Sequence, residues 1–200
     1  MAEFEWTKFL VRWNQALLRD PNVVVELSAD VVASGWLGYP AATDMDIAQA
    51  EERLGTTLPQ SYRDFLRVSN GWRQPTWYIP KLWSTEEVEW FSVRNQDWID
   101  IANEDSEPVP DEDYFVYGKE QMTYNIRTEY LRAALEISAS GDGAVFLLNP
   151  QVVITGGEWE AWLFANKYPG AARFHSFLEM MQEQYENSSS RLQARGEGDS

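Results

Sequence analysis

The residue types that activate nucleophiles are scarce in this chain. It has one histidine, His175 in "RFHSF", and no cysteine. A thiolate nucleophile, a disulfide framework and a cysteine zinc site are therefore excluded. A lone imidazole builds a metal centre only with a carboxylate cluster at matching spacing, and the pattern around His175 instead reads as a partly exposed helical side chain beside the apolar Phe174 and Phe177. Adjacent acids such as Glu51-Glu52, Glu86-Glu87 and Asp111-Glu112-Asp113 have the form of paired carboxylates for acid–base work. With 32 acidic residues in 200, adjacency arises by chance, and a solvated face accounts for it. "SGDG" and "GGEWEAW" lack the following helix and lysine of a phosphate loop, and no serine sits in a Gly-x-Ser-x-Gly elbow. The expectation is a protein that is not an enzyme, with no catalytic, cofactor-binding or metal-ligating residues.

The charge balance points the same way, towards binding. Thirty-two acids face 16 bases for a formal charge of −16. A nucleic-acid surface needs a cationic field to displace counterions from phosphates, and an anionic membrane repels an acidic protein. Direct binding to nucleic acid or membrane is not expected. Such a field keeps a protein soluble and also speeds its encounter with a basic partner. Hydrophobic residues make up 44% and aromatics 14%, with ten tryptophans, so a sizeable core is expected. No apolar run is long enough to span a bilayer, and "MAEFEWTKF" has neither a basic n-region nor an apolar h-region, so the expected location is cytoplasmic.

The elements that would carry these residues follow from spacing and punctuation. Trp6, Phe9, Leu10, Trp13 and Leu17 recur at helical spacing and predict an amphipathic helix closed near Pro21. Residues 22–42 read as a turn-rich connection. "TDMDIAQAEERLG" predicts a helix over 44–54, with Thr43 or Asp44 as N-cap and Gly55 as stop. "TLPQSYRDFLRVSNGW" predicts a second helix over 60–69, with Pro59 in its first turn, Tyr62, Phe65, Leu66 and Ser69 inward, and Asn70-Gly71 ending it. "TWYIPKLW" reads as a short strand, and "TEEVEWFSVRNQDWIDIAN" as helical in part. "NEDSEPVPDED" reads as an acidic loop and "YFVYG" as a strand. "LEIS" and "AVFLLN" read as strands joined by "ASGDG". "EWEAWLFA" alternates Trp159, Ala161 and Leu163 against Glu158, Glu160, Trp162 and Phe164, a strand with both faces at least partly covered. "ARFHSFLEMMQEQYEN" predicts a final helix, and residues 187–200 a disordered tail.

"IAQAEERLGTTLPQSYRDFLRVSNGW", followed by "LLNP", "GGEWEAW" and "FHSFLEMM", resembles the SUKH superfamily and its Smi/Knr-like members. The resemblance runs from about Trp36 to Tyr185. Each motif is weak alone, and the ordered set is specific. It implies an α+β fold with helices packed on a mostly antiparallel sheet, a family domain over 36–186, and an N-terminal helix and connection over 1–35 packed on it. It also implies that Leu54, Pro59, Tyr62, Phe65, Leu66, Asn70 and Gly71 are scaffold. Members of this superfamily are chiefly binding modules, either bacterial immunity proteins that neutralise polymorphic toxins, many of them nucleases or deaminases, or intracellular regulators. The implied partner is therefore a protein, a basic toxin domain in the first case, and an adapter or regulatory role without a toxin is the alternative.

Two departures from shorter members are either candidate partner surfaces or mere elaborations: the tryptophan-rich N-terminal helix and the acidic insert before "YFVYG". Within the insert, Glu104, Asp105, Glu107, Asp111, Glu112 and Asp113 offer a negative patch, and Trp77, Tyr78 or Trp83 could anchor a desolvated centre beside it.

Overall fold

The computed structural model describes residues 4–104, 106–165 and 170–198. The predicted stripe forms α1 (Trp6–Leu17), with Trp6, Leu10, Trp13 and Leu17 buried. Trp13 stacks on Trp72 at 5.8 Å, and Trp6 packs against Phe177 at 5.6 Å and Phe65 at 5.7 Å. The tryptophans of this helix are thus core, and they do not form a partner surface. The connection holds two short helices, α2 (Pro21–Val24) and α3 (Ala29–Ser34).

Helix α4 (Asp44–Leu54) starts with a reciprocal cap. The Asp46 amide donates to Thr43 Oγ1 at 3.2 Å, and the Thr43 amide donates to Asp46 Oδ2 at 2.8 Å. Gly55, at φ +68°, ends it in the left-handed conformation. Helix α5 (Gln60–Leu66) is shorter than its sequence suggests, and Pro59 is its N-cap residue rather than part of its first turn. Proline offers no capping oxygen, so the cap comes from far along the chain: Glu158 accepts from the Ser61 amide at 2.9 Å and from its hydroxyl at 2.6 Å. Asn70 and Gly71 do not end the helix, which stops at Leu66. Asn70 instead exchanges hydrogen bonds with Thr85, and Gly71, at φ +100°, lets the backbone pass where a Cβ would lie 2.8 Å from the Leu82 carbonyl.

Short strands β1 (Trp72–Arg73) and β2 (Lys81–Leu82) pair antiparallel. Then come β3 (Glu89–Trp90), α6 (Phe91–Arg94), α7 (Gln96–Glu104) and α8 (Asp111–Tyr114). Residues 111–114 are helical where the sequence suggests loop, and "YFVYG" is not a strand. The reason is periodicity: residues 114 and 117 of a strand would face opposite ways, whereas here both tyrosine hydroxyls reach one carboxylate, that of Glu160.

β4 (Leu135–Glu136), β5 (Ala144–Ile154), β6 (Glu158–Ala165) and β7 (Ala171–Phe174) complete a five-stranded antiparallel sheet in the order β3-β4-β5-β6-β7. The β4–β5 connection turns at Asp142 and Gly143, both at positive φ, as a tight hairpin requires. α9 (Phe177–Gly198) closes the chain and continues through residues expected to be a disordered tail. Ser188 is buried in it, and Arg191 donates to Asp20 at 3.1 Å, which ties the helix to the first turn of the fold.

Helices lie on both faces of the sheet. Ala144, Phe146, Leu148, Trp159 and Ala161 face the core shared with α1, α4, α5 and α9. Val145, Leu147, Trp162 and Phe164 face a second core with α6, α7, α8 and the turns around Ile126 and Leu131. The fold is α+β, with helices packed on an antiparallel sheet. Of the implied scaffold residues, Leu54, Pro59, Tyr62, Phe65, Leu66 and Gly71 are buried and Asn70 is half-buried.

Phe65 is fully buried against Trp6, Tyr62 and Phe177. Phe65→Ala is expected to lower stability by about 3–5 kcal/mol in chemical denaturation. An unchanged midpoint would contradict this packing.

Candidate functional site

Glu160 lies on the β6 face turned towards α8, and it is fully buried. A carboxylate there must be paired and hydrogen-bonded on every side. It accepts from Tyr114 Oη at 2.6 Å, Trp162 Nε1 at 2.7 Å, Tyr117 Oη at 2.8 Å and Asn149 Nδ2 at 3.0 Å, and Arg173 Nη1 of β7 lies 3.3 Å away. The Arg173 guanidinium donates onward to the Tyr114 and Val116 carbonyls. Burial, then the charge of Glu160, pushes the Tyr114 and Tyr117 phenols above their ordinary range. Five side chains thus surround the one carboxylate. It fixes α8 and the segment after it to the sheet.

The acidic insert is thereby held in place from below. From the side it is held by Arg127, which donates from Nε to the Val109 carbonyl at 3.1 Å and from Nη2 to the same carbonyl at 2.9 Å. Arg127 also pairs with Asp111, and its guanidinium lies 4.6 Å from the Tyr114 ring centre. The hydrogen bond from Arg127 to Asp111 raises the Arg127 pKa further. Asp111 is therefore partly neutralised in place. Glu104, Glu107, Glu112 and Asp113 are exposed, and Asp105 lies outside the described residues.

Between this insert and the end of β6 lies an apolar groove of about 770 Å³. Trp98, Ile126 and Phe164 form its deeper part, and Ile101 and Tyr124 line it while remaining 68% and 60% exposed. Glu107, just before the Pro108-Val109-Pro110 stretch, and Asp113, in α8 beyond it, are exposed acids of its lip. None of its described lining residues is Lys or Arg. The acids stand out in the sequence. Ile101 does not, because it reads as an ordinary helical core position, and neither does Tyr124, which lies in a segment without periodicity.

The aromatic candidates separate. Trp77 is 44% exposed, and the other nine tryptophans are buried or half-buried. With Tyr78, at 5.3 Å in an edge-to-face pair, it lines a second groove that shares Ala165 and Gly170 with the first. Trp83 is elsewhere: its Nε1 donates to the buried Glu136 at 3.0 Å, and Arg94 and Lys81 flank its ring. It is committed to the scaffold and borders neither groove. His175 is not helical but sits between β7 and α9, 4.1 Å from the Tyr117 ring, with Nδ1 2.9 Å from Glu179. Among the described residues no group of three or more His, Asp or Glu side chains is placed to hold a metal ion, and no helix is long and apolar enough to cross a membrane.

A sequence model of the SMI1 / KNR4 family (SUKH-1) matches residues 41–183, which include the five-stranded sheet, the acidic insert and the groove but not α1. None of the curated proteins is significantly similar to the chain.

Two outcomes follow from the buried centre. Glu160→Gln leaves Arg173 buried without its counter-charge and is expected to cost about 3–5 kcal/mol in chemical denaturation. The pH dependence has a definite sign. Because the folded state raises the Tyr114 and Tyr117 pKa values, their contribution is complete below the ordinary phenol value of about 10 and is lost as pH rises above it. Tyr114→Phe should shrink that alkaline loss of stability. An identical alkaline slope in the variant would contradict the assignment.

Proposed function

The chain belongs to the SMI1 / KNR4 family (SUKH-1), and on that premise we propose that it is a non-catalytic protein-binding domain, an immunity protein that neutralises a polymorphic toxin. The toxin is of nuclease or deaminase type, and neutralisation consists of covering its active surface. The supporting observation is the pairing of exposed acids with an apolar groove on one rigidly held edge. Interfaces concentrate energy in a desolvated apolar centre and use surrounding charge for encounter and register. A toxin that acts on nucleic acid is cationic around its site, because it must attract phosphate. An acidic edge uses that same field and competes with the substrate.

The scarcity of activating groups supports the non-catalytic reading, since every buried carboxylate described above is occupied by structural donors. The formal charge of −16 supports a protein that binds neither nucleic acid nor membrane directly, and a chain free of cysteine suits a reducing cytoplasm.

The test has two steps. The partner is recovered from the native host by pull-down and then expressed alone and together with this protein. Toxicity alone and rescue on co-expression are expected; a harmless partner would replace the immunity reading with a regulatory one. Neutralising Glu104, Glu107, Glu112 and Asp113 together, with Asp111 left for Arg127, should slow association with that partner about tenfold or more at low salt, flatten its salt dependence, and leave the denaturation midpoint unchanged. Unaltered association kinetics would contradict the acidic edge as the docking surface.

A further inference from the structure

The groove beside the acidic insert constrains the chemistry of what occupies it. Its deeper part is aromatic and aliphatic, and two large apolar side chains, Ile101 and Tyr124, stand in solvent at its walls. Solvent exposure of this kind, concentrated in a concave site, marks a surface that another molecule covers. The carboxylates on its lip, Glu107 and Asp113, face no cation among the described lining residues, in contrast to Asp111, which is paired with Arg127. Two anionic groups among the lining residues of one apolar trough match a segment that carries an apolar side chain together with cations.

From this we infer that the groove receives a short segment of the partner in which one large aromatic side chain is accompanied by two neighbouring Arg or Lys residues. The inference rests on the protein-binding reading above and specifies its anchor. The aromatic ring enters between Ile101 and Tyr124 and packs towards Trp98 and Phe164. The neighbouring cations meet Glu107 and Asp113. The lip is prepared for this in advance, because Arg127 fixes the Val109 carbonyl and Asp111, Pro108 and Pro110 stiffen the stretch between the acids, and Tyr114 is tied to Glu160 beneath it. A lip ordered before binding loses little conformational freedom on contact. The second groove, beside Trp77 and Tyr78, lacks this bipartite pattern: Asp142 is the only acid among its described lining residues.

The experiment uses the full chain with isoleucine methyl labelling and three short peptides whose centres are Arg-Trp-Arg, Arg-Ala-Arg and Glu-Trp-Glu. The Arg-Trp-Arg peptide should shift the Ile101 and Ile126 methyl signals in a saturable way and leave Ile79 and Ile137, which lie in the opposite core, unmoved. The other two peptides should bind about tenfold more weakly or worse. Ile101→Ala with Tyr124→Ala changes only exposed side chains, so the fold should persist. That variant should lose about tenfold in affinity, and Glu107→Gln with Asp113→Asn should remove most of the salt dependence. Equal binding of the Arg-Ala-Arg peptide would reduce the interaction to bulk charge and overturn the inference. So would shifts spread over both cores, or wild-type affinity in the Ile101/Tyr124 variant. If these peptides fail while the whole partner still binds through the acids, the groove anchor is wrong and the immunity reading stands. If they bind as described and the recovered partner is harmless, the anchor is right and the immunity reading fails.

Discussion

The fold depends on a sheet that is buried on both faces. β5 and β6 form the longest pairing, from Ala144↔Ala165 to Ile154↔Glu158 with an irregularity between Asn149 and Val153. Every side chain from Ala144 to Asn149 is buried, whichever way it points. A strand in that position has no wet side, so polar groups on it must find internal partners. Two consequences shape the molecule: helices must cover both faces, and the carboxylates that β6 carries inward must be neutralised by specific donors.

Those donors explain how an acidic chain remains folded. Glu160 gathers Tyr114, Tyr117, Asn149, Trp162 and Arg173. Glu136 gathers Trp83, Arg94 and Asn95, and Glu158 caps α5 from the far end of β6. Some of the acids are thus structural and occupied, whereas others are exposed and available. Glu104, Glu107, Glu112 and Asp113 belong to the second group, and they collect from the last residue of α7 through α8. The division matters energetically, because a buried carboxylate has its stability tied to one set of donors, whereas an exposed one acts mainly on encounter rates.

Short-range signals in the sequence match the structure. The stripe of α1, the Thr43 cap and Gly55 stop of α4, the Asp142-Gly143 turn and the two-sided alternation of β6 are each written in a few neighbouring residues. Features set by long-range partners do not show in the same way. Asn70-Gly71 looks like a helix stop because its true partners, Thr85 and Leu82, belong to later segments of the chain. "YFVYG" looks like a strand because nothing nearby announces that both tyrosines answer to Glu160. Residues 187–198 look disordered by composition, yet Ser188 and Arg191 dock back on the body of the protein. The candidate surface is half legible: its charge is plain in the sequence, while its apolar groove is assembled from Trp98, Ile101, Tyr124 and Phe164, which no spacing rule connects.

Together these features describe a scaffold whose buried carboxylates are held by structural donors and whose acid-lipped groove is the proposed contact surface. The most direct measurement of that account is the amide hydrogen-exchange footprint of the protein bound to its native partner. Protection should concentrate on α7, the stretch from Glu107 to Asp113, and the turn at Tyr124 to Thr128. Protection concentrated instead on the exposed surfaces of α1 and α9, with this edge exchanging as in the free protein, would contradict it.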